Sequence, residues 1–296
     1  MVSVAYLFAG QGAQAVGMGK DLVAAFPRAK ELFDRASAIL GFDLARVCFE
    51  GPVEELNRTD RCQPALLVHG LACLEVARQK GLPDAEAAAG LSLGEYTAHV
   101  FAGSIGFEDG VRLLQRRGQY MQEACDQTPS GMVSVLGLDR EKVTLAVAGQ
   151  GDVGIANLNA PGQIVISGEN AALERAVARC KELGAKRAIP LKVAGAYHSV
   201  VMRPAQEKMQ KELATVAIAT PRIPVYANVH ARPLSDPADI RSALATQICG
   251  SVLWEDSIRA MGASNYVELG PGRVLAGLVR KIDERAEVLS IEGAAS

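Results

Sequence analysis

Gly90-Leu91-Ser92-Leu93-Gly94-Glu95 lies between an alanine-rich run, Ala85 to Ala89, and an apolar segment, Tyr96 to Ala102, that reads as a helix. A serine between two glycines at G-x-S-x-G spacing, where a strand gives way to a helix, fits a nucleophile elbow. The glycines let neighbouring backbone pass close while the serine sits strained and exposed. Ser92 is therefore a candidate nucleophile. The same residues also fit a capping box, with Ser92 capping the helix and Glu95 answering three residues on, and that needs no chemistry. The hexapeptide alone leaves both readings open.

Outward from this turn the chain alternates strands and helices. Val2 to Ala9 reads as a buried strand running into Gly10-Gln11-Gly12-Ala13-Gln14-Ala15. That loop matches part of a dinucleotide fingerprint but lacks the acidic residue at the end of a second strand, so a tight turn presenting the Gln11 amide is the better reading. Helices are expected from Pro27 to Leu40, Glu54 to Arg58 and Pro64 to Gln79, the last apolar nearly all round and hence buried. Phe107, Val111, Leu114, Gly118, Met121 and Cys125 recur at three- and four-residue spacing over another. On that helix Arg112 and Arg116 fall opposite the stripe, and Arg117 lies about 60° from its centre. An inward arginine needs an internal carboxylate or an anionic ligand, and internal pairing is the commoner fate.

From about Gly131 to Val193 the pattern becomes strand Met132 to Leu138, helix Arg140 to Ala148, strands Val153 to Asn157 and Gly162 to Ser167, helix Ala171 to Leu183 and strand Ala188 to Val193. This βαββαβ order is ferredoxin-like. Asn157 and Asn159 fall in the expected hairpin turn, where turn formation is favoured over a role in a cleft. Beyond it, helices are expected from Pro204 to Ala214, from Asp236 through Ile248, from Trp254 to Met261 and from Val274 to Ile282. Strands are expected at Val225 to Val229 and Tyr266 to Leu269. The fold class is α/β: a larger α/β-hydrolase-like domain with a mainly parallel sheet (1–127 and 198–296), interrupted by a smaller ferredoxin-like domain (128–197).

The 296 residues are 49% hydrophobic and 22% charged, with a formal net charge of −2, so there is no global basic field for nucleic acid. Six cysteines without a C-x-x-C pair and four scattered histidines suggest neither a disulfide framework nor a metal site. The opening residues carry no basic n-region and no long apolar run, so neither a signal peptide nor a membrane span is expected, and the cytoplasm is the default compartment. His198, in Gly195-Ala196-Tyr197-His198-Ser199, is the partner for Ser92 by elimination: His69 and His99 lie within helical patterns and His230 in a polar turn. Gln247, near a helix end, offers a backbone carbonyl to orient that ring.

Seven motifs now stand together: Phe8-Ala9-Gly10-Gln11-Gly12-Ala13-Gln14, Gln63-Pro64-Ala65-Leu66, Gly90 to Tyr96, Arg117-Gly118-Gln119-Tyr120-Met121-Gln122, Asn159-Ala160-Pro161-Gly162-Gln163, Gly195-Ala196-Tyr197-His198 and Glu268-Leu269-Gly270-Pro271-Gly272. In this order they resemble the motifs of malonyl-CoA:acyl-carrier-protein transacylases, over essentially the whole chain. The resemblance implies ping-pong acyl transfer from malonyl-CoA, a coenzyme A thioester used as substrate with no bound cofactor, to the phosphopantetheine thiol of a holo acyl carrier protein. It implies Ser92 as acylated nucleophile, His198 as its base, Gln11 and the Leu93 N–H as oxyanion hole, Arg117 as the grip on the malonyl carboxylate and Gln247 as holder of His198. Gln63, Met121, Asn159 and Tyr197 are implied in the pocket, and a monomer is expected. One departure stands out: the family usually has histidine immediately before the nucleophile, and here that residue is Leu91. A serine thioester hydrolase and a non-catalytic carrier-docking protein are the alternatives. The first is disfavoured by the lack of an acidic triad partner between Ser92 and a late histidine, the second by the intact Ser92, His198 and Arg117.

Overall fold

The structure is a computed structural model and describes residues 2–296. Strand β1 (Val4–Phe8) is followed by helices α1 (Lys20–Ala25), α2 (Pro27–Leu40), α3 (Leu44–Glu50), α4 (Val53–Asn57) and α5 (Thr59–Gln79). Then come β2 (Ala87–Gly90), α6 (Leu93–Phe101) and α7 (Phe107–Gln127). The segment β3 (Ser130–Leu136), α8 (Arg140–Val147), β4 (Val153–Ala160), β5 (Gln163–Glu169), α9 (Asn170–Glu182) and β6 (Arg187–Pro190) has the expected βαββαβ order. The chain closes with α10 (Arg203–Thr215), β7 (Val225–Ala227), β8 (Arg232–Leu234), α11 (Pro237–Thr246), α12 (Trp254–Met261), β9 (Asn265–Leu269), α13 (Val274–Ile282) and β10 (Glu287–Ile291).

Two sheets organise these elements. The larger has the order β10-β9-β1-β2-β7-β8, parallel except for the β7–β8 hairpin. The smaller has the order β4-β5-β3-β6 and is antiparallel throughout, the ferredoxin-like arrangement. Strand β1 is buried along its whole length because helices cover both faces: Val4, Tyr6 and Phe8 join one apolar cluster, Ala5 and Leu7 the other. In β2 the same alternation uses only Ala87, Ala88, Ala89 and Gly90, which lets covering helices approach closely. From β1 the sheet extends one way to β2, β7 and β8 and the other way to β9 and β10, a topological switch point beyond which open α/β sheets form their sites.

Three boundaries differ from the sequence reading in ways that matter. Helix α5 begins at Thr59, so Pro64 lies inside it rather than at its start. The hairpin turn shrinks to Pro161-Gly162, with Gly162 at φ 68°, and the expected turn residues Asn157 and Asn159 stand on β4 instead. The register shifts there, between Ile155 and Asn157 and again between Leu158 and Ala160, and this disguised the strand. Finally, β6 stops at Pro190, leaving Leu191, Lys192 and Val193 on the rim of a cleft. Strand β4 also docks on the chain after α11, through Leu158 N to Val252 O (2.9 Å) and Val252 N to Ala156 O (2.8 Å), which holds the small sheet over the carboxyl ends of β1 and β2.

Candidate active site

Ser92 occupies the junction of β2 and α6 with φ 55° and ψ −108°, and its side chain caps nothing. The capping-box reading therefore fails; the turn has the strained geometry of an elbow. Its glycines are sterically required. A Cβ on Gly90 would lie 1.9 Å from the Gly94 carbonyl carbon, and one on Gly94 would lie 2.4 Å from Phe8 O. The turn is further pinned by Asn228, whose Oδ1 accepts from Ser92 N (2.7 Å) and whose Nδ2 donates to Gly90 O (2.8 Å).

Ser92 Oγ lies 2.8 Å from His198 Nε2, and His198 Nδ1 lies 2.8 Å from Gln247 O. A carbonyl only accepts, so Nδ1 carries the proton and Nε2 is left as the acceptor of the Ser92 hydroxyl proton. Gln247 follows the last residue of α11, where helix carbonyls have no intrahelical partner, and this frees its own for His198. Burial, reinforced by the positive Arg117, pushes the His198 pKa down to about 4, so the imidazole is neutral near pH 7 and its Nε2 lone pair is free to accept a proton.

Arg117 is 1% exposed. It reaches the site because α7 passes α5 closely at Gly118, where a Cβ would stand 2.3 Å from Thr59 O. Its Nη1 donates to Gln63 Oε1 (2.8 Å), and its Nη2 to Gln247 Oε1 (2.9 Å) and to Ser92 Oγ (3.0 Å). Internal ion pairing, the commoner fate of such a residue, does not occur: among the described residues no carboxylate forms a salt bridge with it. A desolvated guanidinium held by neutral oxygens beside a serine hydroxyl is a ready receptor for an anionic group.

The comparisons with known proteins point the same way. The family model described as acyl transferase domain matches residues 5–270. The chain belongs to that family. It is 44% identical over 299 residues to the malonyl CoA-acyl carrier protein transacylase of Bacillus subtilis (strain 168), covering 98% of this chain and 94% of that protein. Among solved structures, an acyl carrier protein S-malonyltransferase from Vibrio cholerae superposes with a TM-score of 0.96 at 41% identity, covering 99% of this chain and 98% of the other. A malonyl-transacylase in complex with a type II PKS acyl-carrier protein superposes at 0.94 with 40% identity, covering 99% and 97%.

In this acyl transferase the remaining sequence candidates gather around one cleft of about 830 Å³, lined by Gln11, Leu91, Ser92, Arg117, Met121, Asn157, Asn159, Tyr197 and His198. Leu93 opens α6, so its N–H has no intrahelical acceptor; neither it nor the Gln11 N–H has an acceptor among the described residues. Gln63 does not line the cleft but lies behind it, with Nε2 3.7 Å from Met121 Sδ. The Tyr197 hydroxyl lies 2.9 Å from Thr59 Oγ1. Asn159 Oδ1 is buried without a partner among the described residues.

Two residues that contact the site are not evident from the sequence. Asn228 was submerged in an apolar run read as strand, although a polar residue at the carboxyl end of a parallel strand beside β2 is itself a signal. Glu95 reads from the sequence as a capping partner alone. It is wholly buried, and its Oε2 accepts from Gln247 Nε2 (2.6 Å) and Asn228 N (3.0 Å). Burial raises its pKa to about 7 against the pull of these donors and of Arg117.

Proposed function

We propose that this protein transfers a malonyl group from malonyl-CoA to the phosphopantetheine thiol of a holo acyl carrier protein, through an ester on Ser92. The observation that carries the reading is Arg117: a buried guanidinium that forms no salt bridge among the described residues, 3.0 Å from the candidate nucleophile. Malonyl places its carboxylate one methylene from the thioester carbonyl, short enough for both to be served from one point. In the first half-reaction Ser92 Oγ attacks that carbonyl while its proton passes to His198 Nε2. The carbonyl oxygen becomes an oxyanion facing the Leu93 and Gln11 N–H groups. Collapse breaks the C–S bond, and the coenzyme A sulfur leaves with the proton from His198. In the second half-reaction the carrier thiol gives its proton to His198, its sulfur attacks the ester, and Ser92 Oγ leaves and recovers the proton.

Gln247 O holds the His198 tautomer throughout, Gln63 and Gln247 Oε1 hold Arg117, and Met121, Asn159 and Tyr197 shape the acyl pocket. The chain divides, on this reading, into a large domain of 1–127 and 198–296 and a small one of 128–197, the two sheets supporting that partition. The enzyme acts as a cytoplasmic monomer without a bound cofactor, in fatty-acid or polyketide synthesis; sedimentation at assay concentration checks the monomer. The decisive experiment is intact mass after mixing with malonyl-CoA and again after adding holo carrier protein. A malonyl adduct on Ser92 that disappears as the carrier gains the same mass is expected, with none on Ser92→Ala. An adduct on a cysteine, or one that only water discharges, overturns the reading.

A further inference from the structure

Glu95 is wholly buried in the first turn of α6, and no step of the transfer described above uses it. Its contacts run to the groups that do the work. Gln247 Nε2 donates to Glu95 Oε2 at 2.6 Å and to Ser92 O at 3.0 Å, while Gln247 Oε1 accepts from Arg117 Nη2 at 2.9 Å. The side-chain amide of Gln247 therefore has one satisfactory orientation. Turned over, its oxygen would face a carboxyl and a carbonyl oxygen, and its NH₂ would face the guanidinium. Gln247 and Glu95 are both fully buried, so such mismatches are costly, and the contact to the Glu95 oxygen is the shortest of the three. The other half of the Gln247 residue, its main-chain carbonyl, is committed to His198 and does not depend on which way the amide points.

We propose that Glu95 is a positioning residue for acyl selection: its carboxyl fixes the Gln247 amide so that Gln247 Oε1 keeps Arg117 turned toward the Ser92 oxygen, where it receives the acyl carboxylate. The assignment rests on the proposed malonyl transfer and deepens it. Glu95 acts through Gln247 on Arg117, so its loss falls chiefly on recognition of the negative charge. Oε2 also accepts from Asn228 N (3.0 Å), the residue that pins the Ser92 turn, so transfer of an uncharged acyl group should fall too, but by less. Only an acceptor oxygen is required at Oε2, since Oε1 is buried without a partner among the described residues. Glutamine keeps that acceptor oxygen, at a stability cost for the NH₂ it buries where Oε1 stands unpartnered, and alanine removes it.

The test compares single-turnover acylation of Ser92 by malonyl-CoA and by acetyl-CoA, followed by intact mass at high enzyme concentration. In Glu95→Ala the malonyl-to-acetyl ratio of kcat/KM should fall by about tenfold or more, the scale of a buried amide N–H left without its acceptor. In Glu95→Gln the ratio should recover to within about threefold of wild type. Gln247→Met keeps the main-chain carbonyl and should reproduce the alanine effect, and adding Glu95→Ala to it should change the ratio no further. Where Glu95→Ala does not fold, Glu95→Met, which keeps the side-chain volume and removes the acceptor, takes its place, with the same expected fall in the ratio and the same overturning result. Equal loss with both thioesters, or an unchanged ratio in Gln247→Met, overturns the assignment and leaves Glu95 as core. If wild type forms no malonyl ester at all, the transfer reading fails instead, so the two failures are distinguishable.

Discussion

The main-chain carbonyl of Gln247 accepts the Nδ1 proton of His198 at 2.8 Å, so a neutral dipole stands where a carboxylate completes many serine triads. The imidazole thus has its tautomer fixed without a counter-ion. Arg117, whose guanidinium also touches Ser92 Oγ, adds a positive charge to the same enclosure.

That relationship sets the pH dependence. Burial and Arg117 both disfavour the imidazolium, and the His198 pKa falls to about 4 from its ordinary 6.5. A base works only unprotonated, so Ser92 acylation should stay on its plateau through pH 6.5 and fall only as pH drops toward about 4. Brief pH jumps followed by quenching and intact mass read this limb before slow unfolding intervenes. A midpoint at 6 to 7 for the first half-reaction would mean that His198 is not the base, or that an anion balances it in the complex.

Arg117→Ala should abolish the preference for an acyl group bearing a carboxylate, lowering malonyl kcat/KM by roughly 10²-fold or more while acetyl transfer changes far less. Arg117→Lys should not restore it, because a lysine has no planar fork and its ammonium is more strongly hydrated. Rates with both thioesters on both variants check this. Equal losses would reduce Arg117 to a structural member of the Gln63–Gln247 network.

How much of this was legible follows from which forces leave a local mark. The elbow was readable because Gly90 and Gly94 are required by backbone contacts within a few residues and with one neighbouring strand. Arg117 was readable because helical periodicity aims it inward, but not its lack of a carboxylate partner, which depends on what α5 and α11 bring to meet it. Asn157 and Asn159 were misread because the two register shifts in β4 break the alternation that marks a strand. Glu95 and Asn228 were missed because their roles lie in contacts spanning 133 to 152 residues of sequence, with no local pattern to announce them. Strand β10 and helices α1 and α3 also went unread; the helices have six and seven residues, too few for periodicity to speak.

Gly118→Ala tests the close crossing that delivers Arg117. The added Cβ would sit 2.3 Å from Thr59 O, a backbone atom that cannot swing aside, so α5 and α7 must separate. The cost should be about 1–3 kcal/mol of stability, seen as a lower Tm. Malonyl transfer should fall further than acetyl transfer, because the shift draws Arg117 away from Gln63. An unchanged Tm and unchanged rates would show the helices to be free to move apart at that point.

The last prediction concerns the volume beside the malonyl α-carbon. Tyr197 is 6% exposed, lines the cleft next to His198, and is tethered at its far end by the contact of its hydroxyl with Thr59 Oγ1 at 2.9 Å. If the ring fills the volume beside the malonyl α-carbon, a ring held at both ends yields less than one free to tilt, and a methyl added to malonyl must displace it or clash. Pockets that sense one methyl discriminate by about 1–3 kcal/mol, roughly 10- to 200-fold, and malonyl should be preferred over methylmalonyl within that range. Tyr197→Ser should open the volume and relax the preference while leaving malonyl turnover measurable. Tyr197→Phe keeps the ring but releases its tether, so the preference should weaken only in part, and stability should drop by about 1 kcal/mol for the lost buried hydrogen bond. Measuring kcat/KM for both thioesters on the three proteins separates pocket from scaffold: an unchanged ratio with a uniform rate loss would make Tyr197 a support for His198 and remove pocket volume as the basis of the malonyl preference.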